Sequence, residues 1–296
     1  MLKLGNAAGV VKYPQDLNPL LKIPSDILSA ITLGSYTPEE RQGNSGNTYW
    51  DNDFNAPTSL NSLGLPNPGI KKAVEFLHKS CEEISKSNKS PRVSIAGFTV
   101  TDYRDMVKKL LGHGLSEIEL NLGCPNIRDH GEQKPIFAFQ PKLIAEILET
   151  VYKVSDHLGA PSIALKLSPY SDPYLLREVA KVIAERRNMV QTVVTSNTYP
   201  NGYGFKRDGL PLIDANDGYA GIGGEALKHI ALGQVRQFRQ LLPREIAIIG
   251  VGGVSNGKDV KDLEHAGASF VQVGTSFFKY GPKVFGEIQA GLGEVA

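Results

Sequence analysis

Eight short apolar segments, several rich in β-branched residues, recur along the whole chain, and after each comes a Gly/Asn/Ser/Pro-rich stretch and usually a longer segment with helical spacing. They span Leu2–Ala7, Ile27–Leu33, Arg92–Gly97, Ser116–Leu122, Ser162–Leu167, Val190–Ser196, Glu245–Gly250 and Ser269–Gly274. Helices are expected at Asn67–Ser85, Thr101–Leu111, Pro141–His157, Pro173–Arg187, Gly224–Leu241, Gly257–Ala266 and Pro282–Leu292, several of them opening on Pro or a small polar residue. This alternation predicts an α/β fold, a closed parallel (β/α)8 barrel, in preference to an open sheet. A chain of 296 residues with 41% apolar content can bury one large core, so residues 1–296 read as a single domain. Long polar stretches interrupt the rhythm at about 35–58, 127–140 and 199–219. All three follow strands, on the face where barrels of this kind carry their sites.

Charge excludes some partners. Lys plus Arg (32) nearly equals Asp plus Glu (31), so no global field draws in nucleic acid or an anionic membrane surface, and a small molecule is the expected partner. No apolar run reaches membrane-spanning length, and the N-terminus lacks a signal-peptide layout. The two cysteines, Cys81 and Cys124, have neither metal-ligand spacing nor disulfide density. A soluble, unprocessed, cytoplasmic protein is therefore expected. The six histidines form no HExxH or paired spacing, so no metal is expected; His130, inside the second polar stretch, is the one worth following.

The strand ends carry the chemistry. Instead of simple turns they hold small residues, amides, lysines and a thiol: Asn6-Ala7-Ala8-Gly9, Gly34-Ser35, Asn61-Ser62, Asn121 to Asn126, Lys166, Ser196-Asn197-Thr198, Gly252-Gly253 and Gly274-Thr275. Glycine-rich segments at 221–224, 250–253 and 274–275 fall late in the chain, where barrels often bind phosphate through backbone N–H groups. Each alone is equally well a turn. No GxGxxG follows the first strand, so a Rossmann site is not indicated. Lys166 ends an apolar strand, which makes it either a solvated edge residue or a fixed positive charge in the barrel mouth; Lys12 carries the same choice. Cys124 lies directly after a strand between Gly123 and Pro125, where nearby positive charge would lower its pKa, whereas Cys81 sits in a helix and reads as structural. Trp50, Phe137 and Phe139 read as loop anchors, since no basic run interleaves with them.

At this level of detail the chain resembles the dihydroorotate dehydrogenases, nearly end to end. The resemblance rests on NAAG at 6–9, LNSLGLPN at 60–67, ELNLGCPN at 119–126, LKLSP at 165–169, IIGVGGVSNGKDV at 248–260 and GASFVQVGTSFFKYGP at 267–282. It implies oxidation of dihydroorotate to orotate in pyrimidine biosynthesis, with FMN as cofactor, Cys124 as general base and hydride transfer to flavin N5. It further implies that Ala7, Ala8, Ser35, Asn121, Lys166, Ser196, Gly223, Gly224, Gly252, Gly253, Gly274 and Thr275 surround the flavin. Asn61, Asn121, Asn126, Asn197 and Thr198 would hold the pyrimidine, beside Leu63, Gly64 and Leu65. An amide offers both a donor and an acceptor to the alternating edge of such a ring. Closure of the 127–140 loop would exclude water from the base.

One departure bears on the substrate. Cysteine-using soluble relatives carry a lysine after the second strand in a TKSS-like stretch, whereas this chain reads Thr32-Leu33-Gly34-Ser35. The membrane-associated branch places its lysine in an AAGxxK motif, matched here by AAGVVK ending at Lys12, but uses serine as base and adds an N-terminal membrane-docking segment. Lys12 is therefore expected to bind the substrate carboxylate. No nucleic-acid or membrane partner is expected, and a homodimer is the assembly to test. The alternatives are a flavin-dependent enzyme of another dihydropyrimidine and a catalytically silent flavin-binding barrel.

Overall fold

The computed structural model describes residues 2–52, 56–126, 128–129 and 132–294. Fourteen strands are assigned: β1 (Lys3–Asn6), β2 (Ala30–Tyr36), β3 (Tyr49–Asp51), β4 (Thr58–Asn61), β5 (Ser90–Ile95), β6 (Glu117–Asn121), β7 (Arg128–Asp129), β8 (Glu132–Gln133), β9 (Ser162–Lys166), β10 (Thr192–Val194), β11 (Tyr199–Gly202), β12 (Ala220–Gly224), β13 (Ala247–Val251) and β14 (Phe270–Val273). Eight of them close into a parallel barrel in the order β1, β14, β13, β10, β9, β6, β5, β2, and β2 returns to β1 through the pairing of Gly5 with Ala30. Each barrel strand overlaps one of the eight segments expected from the sequence.

Strand periodicity sorts the side chains into two layers. Val93, Ile95, Ile118, Leu120, Ile163, Leu165, Val193, Ile248, Val271 and Val273 point outward and join the large apolar cluster shared with the helices. Alternate residues point into the barrel. Toward its lower end the Arg92 guanidinium lies 3.3 Å from the Glu117 carboxylate and over the Phe270 ring. Higher up, the interior is polar, with Ser94, Glu119, Lys166 and Gln272 in contact. Because both faces are covered, strands such as Glu117–Asn121 are buried at every position, including the polar residues that alternate along this one.

Nine α-helices are described: α1 (Pro14–Leu21), α2 (Gly69–Lys86), α3 (Val100–Leu110), α4 (Pro141–Ser155), α5 (Pro173–Glu185), α6 (Lys228–Leu241), α7 (Gly257–Ala266), α8 (Thr275–Tyr280) and α9 (Lys283–Glu294). Local chemistry explains several starts. Thr99 and Asn256 cap α3 and α7 in reciprocal boxes with Asp102 and Asp259, and Asp172 caps α5 ahead of Pro173. The expected helix from Gly224 begins instead at Lys228, because Gly224 still belongs to β12 and 225–227 form a 3-10 turn. Helices α1 and α8 are not expected from the sequence; α1 is short and contains Pro14 and Pro19, which disguise its period.

Two of the long polar stretches differ from plain loops. Residues from 49–61 and 199–224 pair into a four-stranded antiparallel sheet, β11-β12-β4-β3, so Gly221–Gly224 is a strand and not a free turn. Trp50, Leu212 and Ile222 pack on Leu60, Ile213 and Ala220 beneath this sheet, which gives Trp50 its anchoring role. Within 127–140, β7 and β8 form a short hairpin, and His130 lies outside the described residues. Phe139 meets Tyr170 edge-on at 5.6 Å and Phe137 joins the edge of the main core, so this segment is fastened at its C-terminal end.

One contact between two outer helices is testable for stability. A Cβ on Gly257, at the start of α7, would lie 2.3 Å from the backbone of Gly291 and Leu292 in α9. Gly257→Ala must push the two helices apart, which should cost roughly 2–4 kcal/mol. Thermal unfolding should fall by roughly 3–6 °C for a chain of this size, and an unchanged midpoint would contradict the packing described.

Candidate active site

The carboxyl ends of the barrel strands converge on one cleft, and the antiparallel sheet roofs it. Counted together with the solvent space at its open mouth, it holds about 1140 Å3. All the residues assigned above to the flavin, the substrate and the base line this cleft: Ala7, Ala8, Lys12, Ser35, Asn61, Leu63, Gly64, Leu65, Asn121, Cys124, Asn126, Lys166, Ser196, Asn197, Thr198, Gly223, Gly224, Gly252, Gly253, Gly274 and Thr275. Barrel strands supply the floor, while Asn61 and Gly223–Gly224 come from the roof strands β4 and β12.

Register brings the reactive groups together. Asn121 pairs with Lys166 across β6 and β9, so an amide and an ammonium stand side by side at the strand ends. Asn121 Nδ2 donates to Ser35 Oγ at 3.0 Å, and Asn197 Nδ2 donates to Asn121 Oδ1 at 3.2 Å. From the roof side, Asn126 Nδ2 donates to Asn61 O at 2.7 Å, and Asn61 Nδ2 to Gly221 O at 3.3 Å. Four asparagines from three segments thus surround one space, each tied to the protein by part of its amide.

Cys124 lines the cleft directly beyond β6 and is half-buried. Burial pushes its thiol above the ordinary value, and this outweighs the opposing pull of the Asn126 backbone N–H and of Lys166, Arg41 and Lys12. The sequence-based expectation of a lowered pKa is therefore reversed in net direction: the cations are present, but desolvation is the larger effect. Lys12 moves the other way, its pKa lowered by burial and partly restored by Asp16 and Cys124.

The placement of Lys12 is specific. Val11 bridges Leu33, Gly34 N donates to Val11 O at 2.8 Å, and Tyr36 Oη donates to Lys12 O at 2.9 Å. The segment bearing Lys12 is thereby laid against Leu33–Gly34. Leu33 is itself buried in the core, so the cation at this corner of the cleft comes from the neighbouring segment.

Gly252 (φ 123°) and Gly253 (φ 74°) follow β13, and a Cβ on either would collide with Ala231 or Lys228. The turn is thus closed to side chains, and bare backbone faces the cleft beside Gly274–Thr275. Ser59 Oγ contacts Thr275 Oγ1 at 3.1 Å and links the roof to this end. Sequence reasoning missed Val10, Tyr49, Ser59, Pro66, Leu227, Val254 and Phe278, which also line the cleft. For Ser59 a signal existed, since it shares a face of β4 with Asn61. No group of His, Cys, Asp and Glu suited to a metal ion occurs among the described residues, and no described helix is long and apolar enough to cross a membrane.

Comparison with known proteins agrees across the chain. The family described as Dihydroorotate dehydrogenase matches residues 3–296. The chain is 32% identical over 294 residues to the Dihydroorotate dehydrogenase A (fumarate) of Lactococcus lactis subsp. lactis, covering 98% of this chain and 89% of that protein. It is 31% identical over 293 residues to the Putative dihydroorotate dehydrogenase A (fumarate) of Streptococcus agalactiae, covering 99% and 89%. Among solved structures, ligand-free DHODH from Eimeria tenella superposes with a TM-score of 0.78 at 20% identity, covering 99% of this chain and 83% of that one.

Proposed function

The chain belongs to the dihydroorotate dehydrogenase family, and on that premise we propose that it oxidises dihydroorotate to orotate in pyrimidine biosynthesis, with FMN as cofactor and Cys124 as general base. The observation that carries the reading is the convergence in one cleft of a thiol, four asparagines, two lysines and a glycine-lined end. The residues fit FMN. The closed turn at Gly252–Gly253 with Gly274–Thr275 leaves backbone able to face a phosphate, and Lys166 offers a fixed positive charge among the small residues Ala7, Ala8, Ser35 and Ser196.

Bound FMN supplies a ring that accepts the hydride released from the substrate carbon. The protein does the rest. Lys12 pairs with the carboxylate of the acid and orients it. Asn61, Asn121, Asn126 and Asn197, with Thr198, match the alternating donors and acceptors of the pyrimidine, and Leu63, Gly64 and Leu65 lie along it. Cys124 Sγ takes the proton from the carbon next to the ring carbonyl. A base of raised pKa is weakly ionised in the open cleft, so the reaction depends on exclusion of water and on the surrounding cations once substrate is in place.

The test is anaerobic. Protein purified with its flavin should be yellow, and dihydroorotate alone should bleach the flavin absorbance stoichiometrically. Fumarate, the acceptor printed in the names of the relatives, should then restore it. A colourless protein unable to take up FMN, or a flavin that dihydroorotate leaves oxidised, would overturn the proposal.

A further inference from the structure

Glu119 stands on β6 two residues before Asn121, inside the barrel and 1% exposed. Its carboxylate accepts a hydrogen bond from Ser94 Oγ at 2.8 Å and one from Gln272 Nε2 at 3.3 Å, and lies 3.6 Å from the Lys166 ammonium. An ionised carboxylate has no proton to give, so each neighbour must turn a donor toward it. Gln272 does so at a cost: its own Oε1 has no hydrogen-bond partner among the described residues.

For Ser94 the consequence extends to the cleft. With its proton committed to Glu119, Ser94 Oγ can only accept at its 2.8 Å contact with Ser35 Oγ, so Ser35 donates there. Ser35 keeps only lone pairs for its other neighbour, and these accept from Asn121 Nδ2 at 3.0 Å. Asn121 Oδ1 is left facing Asn197 Nδ2 at 3.2 Å, and Asn197 Oδ1 in turn accepts from the Thr198 N–H at 2.8 Å. The buried negative charge sets the direction from Ser94 through Ser35 to Asn121 Nδ2, and it acts in concert with the backbone N–H groups of Gly123 and Thr198, which donate to Asn121 Oδ1 at 3.3 Å and to Asn197 Oδ1 at 2.8 Å.

We infer that Glu119 is a positioning residue for ring recognition: acting through Ser94 and Ser35, and together with the Gly123 N–H, it holds the Asn121 amide with its nitrogen toward Ser35 and its oxygen toward Asn197, while separately holding the Lys166 ammonium. The inference rests on the proposed binding of a pyrimidine acid next to FMN. Reversal of either amide would present a donor where the ring has a donor, and the bond would be lost.

Two variants of the FMN-loaded protein separate the two roles. Ser94→Ala breaks the relay and leaves the Glu119–Lys166 pair in place. It should weaken orotate binding roughly tenfold, read from the perturbation of flavin absorbance on titration, with FMN content and reduction potential unchanged. Ser94→Thr retains the hydroxyl and should restore affinity. Glu119→Gln retains an acceptor for Ser94 but removes the negative charge beside Lys166. It should raise the reduction potential, since the remaining positive charge favours the reduced, negatively charged flavin, and should affect orotate binding less than Ser94→Ala does. If wild-type protein binds orotate and Ser94→Ala binds it equally well, the relay is refuted while the proposed function stands. If Ser94→Ala loses FMN and thermal stability along with orotate, Ser94 is merely structural and the relay is likewise refuted. If the wild-type holoenzyme fails to bind orotate, both ideas fall together.

Discussion

Cys124→Ala should keep its flavin and reduce it roughly 10²–10⁴-fold more slowly with dihydroorotate, the range expected when a positioned general base is removed. The side chain lines the cleft without supporting the fold, so folding and FMN content should be spared. Single-turnover reduction under anaerobic conditions isolates the step, because reoxidation and product release are excluded from the signal. The pH dependence follows from the direction of the shift. Burial holds the thiol above its ordinary value, so the basic form is scarce at neutral pH and the reduction rate should climb as pH rises. The inflection should lie above the ordinary thiol range, roughly 8.5, and should vanish in Cys124→Ala. Cys124→Ser, whose hydroxyl ionises far less readily than a thiol, should be slow throughout. A reduction rate independent of pH, or a Cys124→Ala variant as fast as wild type, would remove the thiol from the mechanism.

The direction of that shift illustrates what a sequence can and cannot carry. The surroundings of Cys124 were legible: a thiol between Gly123 and Pro125 after an apolar strand belongs at a barrel mouth. The balance between desolvation and the cations Lys166, Arg41 and Lys12 was not, because it depends on how segments far apart in the chain cover the sulfur. The barrel itself was legible for the opposite reason. Strands buried on both faces, such as Ser162–Lys166 and Ala247–Val251, are nearly continuous apolar runs that need no partner to be seen.

The roof shows where local pattern stops. Strands β3, β4, β11 and β12 have three to five residues and include Asn61, Asn201, Gly202 and Gly221 to Gly224, which read as turn formers. Their sheet exists only because 58–61 meets 221–224 across more than half the chain. Tyr49 and Ser59 enter the cleft through that sheet, and Phe278 through the unexpected helix α8, so their absence from the sequence reading has a single cause. Asn61 was singled out as an amide in Asn61-Ser62 and within LNSLGLPN, not as part of a strand.

Lys12 is where fold and chemistry meet most sharply, and replacing it should discriminate between substrates. In Lys12→Met the backbone contacts to Tyr36 and Asp16 can persist, since they use Lys12 O and N. The ammonium alone is lost. If it pairs with the substrate carboxylate in this half-closed cleft, kcat/KM for dihydroorotate should fall roughly 10²-fold or more, the scale for an enclosed charge pair losing one partner. Most of that loss should sit in KM, because the carboxylate is held in the ground state as well as the transition state. An uncharged dihydropyrimidine should be turned over as well by the variant as by wild type. The selective loss would also explain how the chain can place Leu33, buried in the core, where cysteine-using relatives have a lysine: Val11 and Leu33 are bridged, so the neighbouring segment can deliver a cation to the same corner. Equal losses for the acid and the neutral ring would assign Lys12 a structural part and require another residue to recognise the carboxylate.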